Sequence, residues 1–119
     1  MAQIKTFKEL KVWQKAHGLV LAIYEITQNF PSEEKFGLTS QMRRASISIA
    51  GNIVEGFRRK SLKDTLHFYN IAEGSLEELK YQLILSRDLE FVTNDEFNKV
   101  NNLEDEVGAM LYSWIKSQK

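Results

Sequence analysis

Apolar side chains recur every three to four residues along nearly all of this chain, and Pro31, its single proline, is the one residue that no helix interior tolerates. Period 3.6 is the mark of amphipathic helices, and no stretch sustains the period-2 alternation of a half-buried strand. The fold class is therefore all-α. A chain of 119 residues is expected to be one domain, residues 1–119, able to bury roughly two thirds of its unfolded surface around one core.

The first helix is expected from about Phe7 to Asn29, with Val12, Ala16, Leu19, Val20, Ile23, Ile26 and Phe30 on one side and Trp13 and Tyr24 at its margin. Pro31 ends it, because a residue before proline avoids the α region. Ser32 to Phe36 reads as one capped turn closed by Gly37, and Thr39 or Ser40 as the cap of a second helix reaching about Arg58. Ser61-Leu62-Lys63-Asp64 resembles a capping box with Asp for Glu and opens a third helix to about Arg87. Its seam repeats every seven residues: Leu62, Tyr69, Leu76 and Leu83 in one row, Thr65, Ala72, Leu79 and Ser86 in the other. Thr93 or Asn94 caps a fourth helix carrying Phe97, Val100, Leu103, Val107, Met110, Leu111 and Trp114. Four such helices on short loops predict an antiparallel up-down-up-down bundle.

The second helix is unusual. Gln41, Arg44, Ser48, Asn52, Glu55 and Arg59 fall within about 80° of its circumference. Met42, Ala45, Ile47, Ile49, Ala50, Ile53, Val54 and Phe57 occupy about 200°, against the roughly 100° stripe of a surface helix. Partner helices cover part of such an arc, and a second subunit is expected to cover the rest. The expected oligomer contacts are Arg43, Arg44, Ile47, Asn52, Ile53, Val54 and Glu55, with Ile53 the position where a buried charge should break the assembly.

Composition narrows the chemistry. There is no cysteine, so no disulfide or thiolate metal site forms, as in a reducing compartment. Met1 to Thr6 is followed by no apolar signal region, and Leu19 to Ile23 is too short to span a bilayer; a cytoplasmic protein without a membrane partner is expected. Asp64 and His67 stand three apart like one pair of di-iron ligands, but such sites need two pairs and further carboxylates. Ser46, Ser48 and Ser75 lack a base, and no glycine-rich loop follows a strand. No enzyme activity, metal, cofactor or small-molecule substrate is expected.

The sixteen basic and sixteen acidic side chains cancel overall but not locally. Met1 to Lys63 holds eleven Lys/Arg against five Asp/Glu, and Asp64 to Lys119 five against eleven. These halves either form complementary faces, within the fold or between subunits, or mark a basic nucleic-acid surface. Arg58, Arg59, Lys60 and Lys63 are the candidate phosphate contacts, with Phe57, Phe68 and Tyr69 nearby for stacking.

Several spacings resemble one family. They are Phe7-x-x-Leu10-x-Val12-Trp13-Gln14-Lys15-Ala16, Ile23-Tyr24, Phe30-Pro31, Gly37-Leu38-x-x-Gln41-x-Arg43-Arg44-Ala45-x-x-Ser48-Ile49, Asn52-Ile53-x-Glu55-Gly56 and Phe68-Tyr69-x-Ile71-Ala72-x-Gly74-Ser75-Leu76-x-Glu78-Leu79. Together they look like the bacterial four-helix-bundle proteins named after 23S rRNA intervening sequences. The resemblance spans nearly the whole chain and is weakest in the fourth helix. It implies a left-handed antiparallel bundle, a ring-like homopentamer, a bacterial source and no catalytic residues. Some members are encoded inside insertions in rRNA genes. A similar fold serves as the strongly basic accessory protein of diversity-generating retroelements, from which this chain departs in its zero net charge. The expected function is a non-enzymatic oligomeric scaffold or adaptor whose partner is itself; RNA and an unidentified protein are the further candidate partners.

Overall fold

The computed structural model describes residues 3–119, so the first two residues of the Met1–Thr6 segment lie outside the described residues. It holds four α-helices, α1 (Lys11–Thr27), α2 (Leu38–Arg58), α3 (Leu62–Asp88) and α4 (Asn94–Gln118), with two 3₁₀ turns, Phe7–Glu9 and Ser32–Glu34. No described residue is in a strand. Each helix packs on two others, α2 on α1 and α3, and α4 on α1 and α3, so the four enclose one core. The molecule measures 47 × 24 × 19 Å; a helix of the length of α3 spans about 40 Å and sets the long axis.

The heptad rows of α3 are that core's spine. Thr65, Tyr69, Ala72, Leu76, Leu79, Leu83 and Ser86 are all buried. Leu62 alone departs: as the first residue of the helix it lies beyond the end of the core and is half exposed. Contacts between α2 and α3 run in opposite chain order. The Ser86 hydroxyl meets Met42 Sδ at 3.3 Å, Ser48 and Ser75 share a hydrogen bond of 2.8 Å, and Thr65 Oγ1 donates to the Gly56 carbonyl at 3.0 Å. Gly56 permits the closest approach, since a Cβ there would overlap the Tyr69 ring.

Helix ends differ from the expected ones for local reasons. Thr6 and Glu9 form a reciprocal capping box that winds Phe7–Glu9 into a 3₁₀ turn. Leu10 is then extended (φ −74°, ψ 121°) and buried, so α1 starts at Lys11 and not at Phe7. Ser32 makes no cap, and neither Thr39 nor Ser40 starts α2. Gly37 is the N-cap, and Glu34 Oε1 accepts from the Leu38 amide at 3.0 Å, placing a carboxylate at the positive end of the helix. Ser61 and Thr93 cap as expected, the latter in a full box with Glu96.

α3 ends in a Schellman turn. The Phe91 amide donates to the Ser86 carbonyl at 2.8 Å and the Glu90 amide to the Arg87 carbonyl at 2.9 Å. This geometry puts Glu90 at φ 62°, where a side chain is disfavoured. Glu90→Gly is therefore expected to stabilise the chain by about 1 kcal/mol. Gly56→Ala, which must displace the Tyr69 ring, is expected to cost about 1–3 kcal/mol. Urea unfolding midpoints check both, and a shift of the same sign for the two variants would contradict this account.

Candidate functional site

Subtracting the core from α2 leaves its outward face. Arg44, Ile47, Gly51, Val54 and Arg58, spaced three and four apart, form one stripe along the helix. Ile47 is 48% exposed, Val54 is half-buried, and no atom lies within 4 Å of a Cβ built on Gly51. On α1, Leu21 and Tyr24 are also exposed. Tyr24 lies beside the stripe, because its ring stacks under the Arg43 guanidinium, 4.5 Å away, and Arg43 is one turn before Ile47.

The structure separates the expected oligomer contacts into two groups. Arg44, Ile47 and Val54 face outward. Ile53 does not: it is fully buried in the chain's own core and offers nothing to another subunit, so a charge there would unfold the chain rather than split an assembly. Arg43 is turned inward along the bundle surface, its Nε donating to Thr27 Oγ1 at 2.9 Å. Asn52 belongs to the α2–α3 seam, where its Nδ2 donates to the Ser48 carbonyl at 2.8 Å and to Ser48 Oγ at 3.0 Å. Glu55 is exposed but bound to Arg59 within the helix at 2.6 Å. The 200° apolar arc thus overestimates the buried face, because the wheel cannot tell Ile53, inside, from Ile47, outside.

Arg58, Arg59, Lys60 and Lys63 gather where α2 turns into α3, and all four are exposed. Arg58 lies at the C-terminal end of α2, where a cation complements the helix dipole. Arg59 is engaged twice, by Glu55 and by the Phe68 ring 4.6 Å beneath it. Lys60 and Lys63 have no carboxylate partner among the described residues. The expected stacking aromatics are mostly used internally: Tyr69 is buried, and Arg59 covers a face of Phe68. Beside the turn a crevice of ≈ 330 Å³ opens between Phe57, Lys60, Tyr69 and Trp114.

The charged halves do not neutralise each other inside the fold. Among the described residues one ion pair joins two helices, Lys15 to Glu106 at 2.8 Å; the others link neighbours on the same helix. Asp64 and His67 are both exposed, and among the described residues no group of three or more His, Asp or Glu side chains is placed to hold a metal ion. No described helix is long and apolar enough to cross a membrane.

One polar group was not anticipated. Glu104 on α4 is completely buried, and neither carboxyl oxygen has a hydrogen-bond partner among the described residues. Its spacing, between Val100 and Val107, places it in the α4 seam, but a charged residue type is rarely fully buried. Loss of water pushes its pKa up to about 8; Lys80 opposes this, and Asp105 and Glu77 reinforce it. The carboxyl is therefore neutral at pH 7, which lowers the cost of burial.

Residues 8–113 match the family described as 23S rRNA-intervening sequence protein. The fold is similar to the crystal structure of a protein of unknown function from the S23 ribosomal protein family of Bacteroides thetaiotaomicron. The TM-score is 0.81 at 29% sequence identity, over 88% of this chain and 95% of that one. No curated protein matches the chain.

Glu104 makes stability depend on pH. Its pKa rises from an ordinary 4.5 to about 8 on folding, so between those values the folded chain holds a proton that the unfolded chain has lost. Stability from this group is complete at the acidic end of that window, falls as pH rises through it, and levels off beyond. Glu104→Gln is expected to remove this slope and to be the more stable protein at about pH 8, by a few kcal/mol. Parallel urea titrations of the two proteins across the window, with no difference in slope, would show that the carboxyl finds water or a partner.

Proposed function

The chain belongs to the 23S rRNA-intervening sequence protein family, and from that premise we propose that it is a non-enzymatic homo-oligomeric scaffold or adaptor, its α2 stripe forming the subunit contact. In this reading the four helices run up-down-up-down, and copies join in a ring-like homopentamer in a bacterial cytoplasm. The subunit number comes from the family resemblance.

The observation that carries the reading is the uncovered apolar surface around Ile47. Ile47, Leu21 and Tyr24 are exposed, with Val54 half-buried beside them. The stripe is apolar at its centre and ends in Arg44 and Arg58, the layout of an interface with a polar rim. Gly51 lets a neighbouring backbone approach its middle.

A second reading rests on Lys60 and Lys63, two exposed cations without carboxylate partners among the described residues, beside Arg58 and Arg59. These four residues form a local patch for RNA phosphates on a molecule of zero net charge. Tyr69 is buried and Arg59 covers a face of Phe68, so this reading predicts binding through phosphates with little sequence preference.

Two measurements separate the readings. Light scattering on purified protein is expected to give a multiple of the 13.8 kDa chain mass. Ile47→Asp is expected to weaken association by roughly 10- to 100-fold per contact, the value of one buried aliphatic side chain, with helicity unchanged. A folded variant that keeps the wild-type mass at low concentration removes Ile47 from the interface. For RNA, affinity is expected to fall with salt at a log–log slope of about −0.7 per phosphate contact on single strands. Reversing Arg58, Arg59, Lys60 and Lys63 to Glu should abolish it while the oligomer persists; undiminished binding removes the patch. An oligomer that binds no RNA leaves a protein as the partner.

A further inference from the structure

A recess of ≈ 680 Å³ lies where α1 begins and α4 finishes. The break at Leu10 shapes it. Because Leu10 is extended, the chain ahead of it does not continue the axis of α1, and Ile4 comes to line the same space as Leu10 and Val12. From α4 the lining is Ala109, Met110 and Trp114. A concave site of roughly 300–1,000 Å³ with mostly apolar and aromatic walls is the size and character of a small-molecule pocket.

Its few polar groups favour one kind of head group. Glu9 is at the recess, but its Oε2 is already held by the Lys5 and Thr6 amides, at 2.7 and 2.9 Å. These two hydrogen bonds, the one from Thr6 foremost, keep its pKa below the ordinary carboxylate value, so it is ionised at neutral pH. Lys11 lines the recess too, exposed and with no carboxylate partner among the described residues. It is also the first residue of α1. Each of the other three helices has a side chain that accepts from its first-turn amides: Glu34 for α2, Ser61 for α3 and Thr93 for α4. α1 has none, since Leu10 offers no side-chain acceptor, and its first backbone bond runs from the Gln14 amide to the Leu10 carbonyl at 3.0 Å. The amides of Lys11, Val12 and Trp13 are thus left without an acceptor among the described residues. An ammonium and the positive end of a helix meet at the edge of an apolar recess.

We propose that this recess binds a small monocarboxylate with an apolar body, such as a medium-chain fatty acid, as a ligand rather than a substrate. The tail lies against Leu10, Met110 and Trp114, and the carboxylate meets Lys11 and the open amides at the start of α1. An amine would face Lys11 with like charge, and an uncharged chain would leave both donors unused. The ionised Glu9 nearby opposes a second negative charge, which favours a carboxylate over a phosphate dianion. The site uses neither the α2 stripe nor the patch from Arg58 to Lys63, so it stands apart from both readings above.

The test is calorimetric titration with decanoate, decanol and decylamine, each kept below its micelle-forming concentration. The wild type is expected to bind decanoate saturably, about tenfold or more tighter than decanol, and decylamine more weakly still. Lys11→Gln is expected to cost decanoate about tenfold, the value of one charge-assisted hydrogen bond, and to leave decanol unchanged. Ala109→Phe, at an exposed position outside the core, fills the recess and is expected to cost both ligands about tenfold or more. Ser113→Phe, exposed one turn further along α4, serves in its place if circular dichroism shows Ala109→Phe misfolded. A wild type that takes up no decanoate overturns the proposal, as does binding that the filled recess leaves intact. Equal affinity for decanoate and decanol, untouched by Lys11→Gln, overturns the carboxylate.

Discussion

The seam between α2 and α3 holds the other elements in place. Its two helices approach closely because small residues line it: Ser48 against Ser75 in the middle and Gly56 against Tyr69 at one end. Larger side chains at those points would push the two helices apart. Close approach turns Met42, Ile49 and Ile53 inward, so α2 uses its most apolar side within its own chain. The hydroxyls in the seam are mutually satisfied, with Asn52 completing the set, which makes the register specific at little desolvation cost. The register then decides what remains outside.

What remains outside is the face centred on Ile47 and Gly51, about 130° around the helix from Ile53. Helical periodicity shows that α2 has too much apolar surface for one partner, but not which isoleucine meets the core. That depends on where α3 sits, which the Ser48–Ser75 contact sets. The same limit explains Asn52. In the sequence it is a polar residue in an apolar helix, suited to partner selection; in the fold its partner is Ser48, one turn away.

Elements whose signals are local and redundant were legible. The heptad rows of α3 are buried at every position but Leu62, and Thr93 caps α4 as expected, in a box with Glu96. Thr6 and Glu9 carry the same spacing, but the apolar pattern runs past them and reads as one continuous helix, when Leu10 breaks it. The start of α2 was obscured for a related reason. Its capping carboxylate comes from Glu34, ahead of the helix, while hydroxyls at Thr39 and Ser40 look like better caps. Glu104 was invisible because residue type argued against its position, and only the packing of α4 on its neighbours seals it from water.

Burial of Glu104 and the open charges elsewhere are two sides of one allocation. The acidic helices put one carboxyl into the core, where it stays protonated, and leave the rest on the outer surface. The basic helices, α1 and α2, hold few carboxylates of their own, and Lys11, Arg43, Arg44 and Arg58 have no carboxylate partner among the described residues. A chain of zero net charge with such a division gains no long-range attraction to a polyanion. The two sides of every copy carry opposite excess charge, which is the layout the proposed self-association would use. At the turn between α2 and α3, Lys60 and Lys63 are exposed and have no carboxylate partner among the described residues, which is why the RNA reading rests there.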